Sequence, residues 1–188
     1  HSFSTISIGG FSTHDENFGF FTQSSIRWTA VIFMIISGIN FALHYIAWNK
    51  RKLKHYFQDS EVRAYLFILT CAFGLTYLTL SIYGENQGRL LLEESAFQVV
   101  SIATTTGFLT SNYSNWPLFV PIMLLTTAFI GACAGSTCGG IKVIRTLILA
   151  KQSAGEITKL IHPNAVVSIK INKKAVNPRV SESVWSFF

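Results

Sequence analysis

The sequence predicts an all-α polytopic membrane protein built of repeated helix–pore-loop–helix units, with one transmembrane helix broken by glycine. Three observations predict it. Hydrophobic residues make up 49% of the 188 and charged residues only 13%, and the charges bunch between long uncharged runs, as expected when the runs sit in lipid. A Ser/Thr/Gly/Phe segment occurs twice, each time ahead of a spanning run. The longest apolar run is interrupted in its middle by Gly131-Ala-Cys-Ala-Gly-Ser-Thr-Cys-Gly-Gly140, where few residues favour helix.

Residues 1–48 read as a pore loop, Ser7–Phe11, and the transmembrane helix that follows it. The run from Trp28 to Trp48 has no Asp, Glu, Lys or Arg; its length of about 21 residues covers roughly 30 Å at 1.5 Å per residue. Its terminal tryptophans suit the two interfaces, and Lys50, Arg51, Lys52 and Lys54 beyond it mark the second end as cytoplasmic. Asn40 and His44 lie one turn apart inside the run and need polar partners, expected as an interhelical hydrogen bond. Residues 49–64 form a basic cytoplasmic loop.

Residues 65–150 read as a second, complete unit. Tyr65–Tyr83 is uncharged and returns to the outer face, and Gly84–Gly88 is a turn there. Leu90–Ile102 carries Glu93 and Glu94 and is too short to cross before Thr104-Thr-Thr-Gly-Phe108 interrupts it, so it is a half-crossing pore helix. Pro117–Ala150 is the broken helix, with the irregular loop at 131–140. Such backbone is tolerated at membrane depth only where it lines a cavity or is buried in protein. Residues 151–180 are polar and basic, a cytoplasmic linker, and 181–188, ending Val184-Trp-Ser-Phe-Phe188, start the next transmembrane helix. The chain opens on His1 inside a loop-like segment, with no signal peptide, and reads as cut at both ends.

The two loops align without gaps: Ser4 with Ser101, Ser7 with Thr104, Gly10 with Gly107, Phe11 with Phe108 and Thr13 with Thr110. A dehydrated K⁺ needs several oxygens at fixed distance, which stacked backbone carbonyls supply without a fixed charge that would hold the ion too tightly. Gly9, Gly10 and Gly107 permit the backbone conformations that turn consecutive carbonyls to one axis. Ser7, Thr104 and Thr105 would add hydroxyl oxygens, and Phe11 and Phe108 would wedge the loops against helices. The bland alternative, turns or helix-packing sites in a non-transporting anchor or sensor, fits either loop alone but not the repeated half-helix and loop together.

Other classes find less support. The formal charge of +6 raises nucleic acid, but the cations trail apolar runs as a positive-inside topology places them. Gly135–Lys142 departs from a phosphate loop, since Ile141 separates glycine from lysine and Val143 replaces the required Ser or Thr. Cys71, Cys133 and Cys138 imply no disulfide framework, and the histidines lack zinc spacing. No acid, base and nucleophile set converges in an apolar segment, which argues against an enzyme. His14-Asp15-Glu16 reads as a solvated external turn rather than an acidic vestibule.

Ile8-Gly-Gly-Phe-Ser-Thr-His-Asp15, Thr104-Thr-Thr-Gly-Phe108 and above all Gly131-Ala-Cys-Ala-Gly-Ser-Thr-Cys-Gly-Gly-Ile-Lys-Val-Ile-Arg145 resemble the TrkH family of potassium-uptake subunits, in the Trk/Ktr/HKT superfamily. The resemblance runs along essentially the whole chain. It implies a K⁺-channel-like fold of four such repeats around one pathway, of which this chain would hold the end of the second, all of the third and the start of the fourth. It implies that Ile8, Gly9, Thr105 and Thr106 offer carbonyls to K⁺, with Gly10 and Gly107 as signature glycines. It makes Gly131, Gly135, Ser136, Thr137, Gly139 and Gly140 parts of a gating loop beneath the filter. Cys138 stands where family members commonly have a further glycine, which adds bulk.

Glycine-rich backbone with little side-chain packing is expected to be mobile on its own account. Lys142 and Arg145 share a helical face and serve either as snorkelling cations at the inner interface or as cations that position the gate. The resemblance further implies a homodimer in the bacterial inner membrane and a cytoplasmic nucleotide-binding regulatory subunit of the TrkA kind. It implies no cofactor beyond K⁺ as transported ion. Coupling to H⁺ or Na⁺, as a symporter, stays open against a channel mechanism.

Overall fold

The computed structural model describes residues 1–83, 88–162, 168–172 and 174–187. The expected external turn at 84–88 and the last residue, Phe188, fall mostly or wholly outside them. Nine α-helices are described: α1 (Ser2–Ile6), α2 (Ser24–Ser37), α3 (Phe41–Lys50), α4 (Lys54–Gln58), α5 (Ser60–Tyr83), α6 (Arg89–Ala103), α7 (Phe119–Ile130), α8 (Val143–Ile161) and α9 (Pro178–Phe187). A two-stranded hairpin, β1 (Lys170–Ile171) and β2 (Lys174–Ala175), pairs antiparallel with Lys170 opposite Ala175.

Helix α5 has 24 residues, about 36 Å at 1.5 Å rise, and is by itself long and apolar enough to cross a membrane. The half-helix expected before the second loop is present as α6, which packs against α2, α5 and α7. Most of α6 is buried, including the polar Glu93, Ser95, Gln98 and Ser101. Buried polar groups demand partners. Glu93 pairs with Arg27 of α2 at 3.0 Å and accepts the Ser24 hydroxyl, Ser95 donates to Leu91 O at 2.7 Å, and the Gln98 amide donates to Ser111 O at 2.9 Å.

The run from Trp28 to Trp48 is not one helix. It breaks into α2 and α3, bent by 95°. Gly38 lies against the Tyr65 ring and Ala132, where an added Cβ would come within 2.8 Å of Tyr65 Cζ. Asn40 then caps α3 by accepting the Ala42 N–H at 2.8 Å. His44 makes an interhelical hydrogen bond, Nδ1 to the Tyr56 hydroxyl of α4 at 2.8 Å.

The second break, between α7 and α8, lies where the sequence places it. Helix α8 runs eleven positions past Ala150, the expected end of the span, so the linker begins as helix. Beyond it the hairpin docks on the start of α5: the Asn172 side chain accepts the Ser60 N–H at 2.8 Å and donates to Asp59 Oδ2 at 2.9 Å. The basic stretch 49–64 is also helical, holding α4 and the first turn of α5.

Candidate functional site: two matched loops over a glycine-rich break

The two repeat loops share one backbone. Each half-helix ends in a right-handed residue, Ser7 (φ −76°, ψ −5°) or Thr104 (φ −81°, ψ 0°). A left-handed residue follows, Ile8 (φ 54°) or Thr105 (φ 59°), and two positions on comes a left-handed glycine, Gly10 (φ 67°) or Gly107 (φ 83°). Non-glycine residues seldom adopt that conformation, so its recurrence at matched positions reflects one built geometry.

The hydrogen bonds match as well. Ser7 N–H donates to Phe3 O and Thr104 N–H to Val100 O, Ile8 N–H to Thr5 O and Thr105 N–H to Ile102 O, Gly9 N–H to Ser4 O and Thr106 N–H to Ser101 O. Each aligned serine hydroxyl pins the aligned phenylalanine: Ser4 Oγ accepts the Phe11 N–H at 2.8 Å, and Ser101 Oγ donates to Phe108 O at 2.7 Å.

These bonds consume amides and leave carbonyls. Among the described residues, the carbonyls of Ile8, Gly9, Gly10, Thr105, Thr106 and Gly107 accept no hydrogen bond. Backbone oxygens without a protein donor are left to water or a cation. The loops also touch, for a Cβ on Gly10 would strike the Thr106 carbonyl oxygen. Only glycine fits there.

The loop hydroxyls have protein partners, and one expectation, that Phe11 is a wedge, changes. The Ser7, Thr104 and Thr105 hydroxyls are engaged within the protein: Ser7 donates to Ser4 O at 3.4 Å, Thr104 to Val100 O at 2.7 Å, and Thr105 Oγ1 accepts the Gly139 N–H at 2.8 Å. Helix-end carbonyls within reach of a β-hydroxyl capture it. Phe108 is fully buried beside Phe18, Phe97 and Met34, as a wedge should be, but Phe11 is 81% exposed, because no described element covers it.

The glycine-rich loop from Gly131 to Lys142 seats directly on this pair. Cys138 Sγ donates to Thr104 O at 2.9 Å, and Thr137 Oγ1 donates to Ile6 O at 3.2 Å. On its other side the loop meets the α2–α3 break, with Cys133 N–H donating to Gly38 O and Phe41 N–H to Gly135 O, both at 3.0 Å. The two breaks thus satisfy each other's backbone. Gly131, Gly135 and Gly140 all have positive φ, as does Lys142 (φ 82°).

The loop is therefore pinned on several sides rather than loosely packed, and Ala132 and Cys133 are fully buried. Lys142 folds back to donate to the Cys138 carbonyl. Arg145 points elsewhere, its guanidinium 4.5 Å from the Phe187 ring of α9. At the loop's outer neighbour, Asp15 and Glu16 are exposed. Among the described residues, no group of three or more His, Cys, Asp or Glu side chains converges on a common point.

Sequence reasoning missed Glu61, whose carboxylate accepts the Ala134 N–H at 2.6 Å. Its signal was present: Asp59-Ser-Glu61 is an acidic helix start inside an otherwise basic stretch.

Paired half-helices whose loop carbonyls accept no hydrogen bond among the described residues, joined to a broken helix, define a pore-loop membrane-protein fold. The chain belongs to the TrkH family, whose model, described as a cation transport protein, matches residues 1–188. It is 48% identical over 189 residues to the Trk system potassium uptake protein TrkH of Salmonella typhimurium, covering 100% of this chain and 39% of that one. It is 44% identical over 188 residues to the protein of the same name from Halomonas elongata, with the same coverage. The crystal structure of the potassium transporter TrkH from Vibrio parahaemolyticus superposes with a TM-score of 0.95 at 46% identity, covering 100% of this chain and 41% of that chain. The chain thus spans about two fifths of the length of these relatives.

Proposed function

We propose that this chain forms part of the pore of a potassium-uptake protein in the bacterial inner membrane, crossing it several times. The observation that carries the reading is the matched pair of loops whose carbonyls at Ile8, Gly9, Thr105 and Thr106 have no protein donor among the described residues. Such oxygens, presented by two equivalent corners, suit replacement of the hydration shell of K⁺. Gly10 and Gly107 hold the corners. The potassium-uptake relatives support the choice of ion.

The loop containing Gly131, Gly135, Ser136, Thr137, Gly139 and Gly140 acts as the gate. Its seat on Thr104, Thr105 and Ile6 supports this, since a segment docked on the loop ends must shift for an ion to pass. Lys142 positions the gate from within, through the Cys138 carbonyl; Arg145 contributes through α9. Transport involves no covalent chemistry, so the protein is not an enzyme. It works as a homodimer with a cytoplasmic nucleotide-binding regulatory subunit of the TrkA kind, a reading that rests on family membership.

The test is K⁺-dependent growth and Rb⁺ uptake of a transport-deficient bacterium expressing the full-length protein, with Gly107→Ser at matched membrane expression. Loss of uptake, or of preference for K⁺ over Na⁺, is expected. Unchanged uptake and preference would return the Gly/Thr loops to helix packing.

A further inference from the structure

Glu61 has a buried carboxylate that neither the filter nor the known family motifs use. It is 8% exposed at the start of α5, and a buried carboxylate persists only where it is paired or hydrogen-bonded. Its Oε1 accepts the Ala134 N–H, in the glycine-rich loop, at 2.6 Å. The Ile144 backbone, in the first turn of α8, and the Lys142 ammonium both favour its charged form. Asp59 is the like charge nearby, but it is engaged in capping Glu61 N–H and Val62 N–H and in binding Asn172.

Helix α8 needs such a group. Its N-cap is Lys142, which makes no side-chain capping bond, and a negative charge at a helix N-terminus is stabilising. One carboxylate thus bonds the early limb of the loop and lies where it favours the start of the helix that leaves it. Opposite Glu61, Thr105 Oγ1 and Thr104 O hold the late limb.

We infer that Glu61 is the positioning residue that sets the resting place of the glycine-rich loop and couples it to α8. A displacement of α8, which continues towards the hairpin and α9, that draws the loop with it must break the Glu61–Ala134 bond. The inference rests on the loop being the gate, and the test separates the two.

The test uses the full-length protein in proteoliposomes on a Cys71→Ser background, with Rb⁺ flux and the rate of Cys138 alkylation by N-ethylmaleimide, located by peptide mass spectrometry, as readouts. Cys138 is buried, so its alkylation reports the loop independently of conduction. Glu61→Ala is expected to raise both, by roughly tenfold for loss of a charge-assisted hydrogen bond. Glu61→Gln keeps an oxygen for one N–H and falls between; it also serves if Glu61→Ala fails to fold by gel filtration. Unchanged alkylation in the folded variants overturns the anchor. Raised alkylation with unchanged flux supports the anchor and overturns the gate reading beneath it.

Discussion

At the scale of single residues, four left-handed positions do most to shape the site: Ile8, Gly10, Thr105 and Gly107. Gly10 is the most constrained, since its φ of +67° strains any side chain and a Cβ would strike the Thr106 carbonyl. Gly10→Ala is therefore expected to cut Rb⁺ uptake at least tenfold or abolish K⁺ over Na⁺ preference. Gly74→Ala, on α5 with nothing within 4 Å of the new methyl, should leave both unchanged and favour the helix by about 0.5–1 kcal/mol. Uptake assays of the two variants at matched expression check the contrast. The glycines were legible in the sequence; the protein partners of the Ser7, Thr104 and Thr105 hydroxyls were not, because a motif shows which atoms are present and not which neighbour the fold brings to them.

At the scale of elements, a buried ion pair ties α6 to α2. Arg27 and Glu93 meet at 3.0 Å with side chains 13% and 8% exposed, and the Arg27 Nε also donates to Phe21 O at 2.8 Å. Removing one partner strands the other charge, at a typical cost of about 3–5 kcal/mol. Arg27→Ala should therefore lower the thermal unfolding midpoint in detergent markedly. The double variant Arg27→Met, Glu93→Gln should recover much of the loss. Asn40→Ala removes the α3 cap and should cost about 1 kcal/mol, read in the same melt. Helix α6, α5 and the α7–α8 break were legible because length, charge and glycine content mark them directly. The α2–α3 bend was not, because the run 28–48 holds no Asp, Glu, Lys or Arg to mark it. It coincides with a tertiary contact, Tyr65 and Ala132 against Gly38, and with the Asn40 cap.

At the scale of the molecule, two broken segments cross beneath two matched loops, and each supplies the other's missing backbone partners. This explains how irregular chain persists in an apolar interior: the unsatisfied groups of the α2–α3 break at Gly38 and Phe41 bond the α7–α8 break at Cys133 and Gly135. The matched loops were legible as an internal repeat. The pairing of the breaks lay beyond it, because the partners are nearly a hundred positions apart and Gly38 and Phe41 carry no motif. Thr104, Thr105 and the loop from Gly131 to Lys142 form one contiguous hydrogen-bonded unit, so filter and gate should respond together to changes in either. The most direct measurement is anomalous scattering from Rb⁺ or Tl⁺ soaked into crystals of the full-length protein. The account predicts density between the carbonyls of Ile8 and Gly9 and those of Thr105 and Thr106; density elsewhere along the pathway, with none at these oxygens, would contradict it.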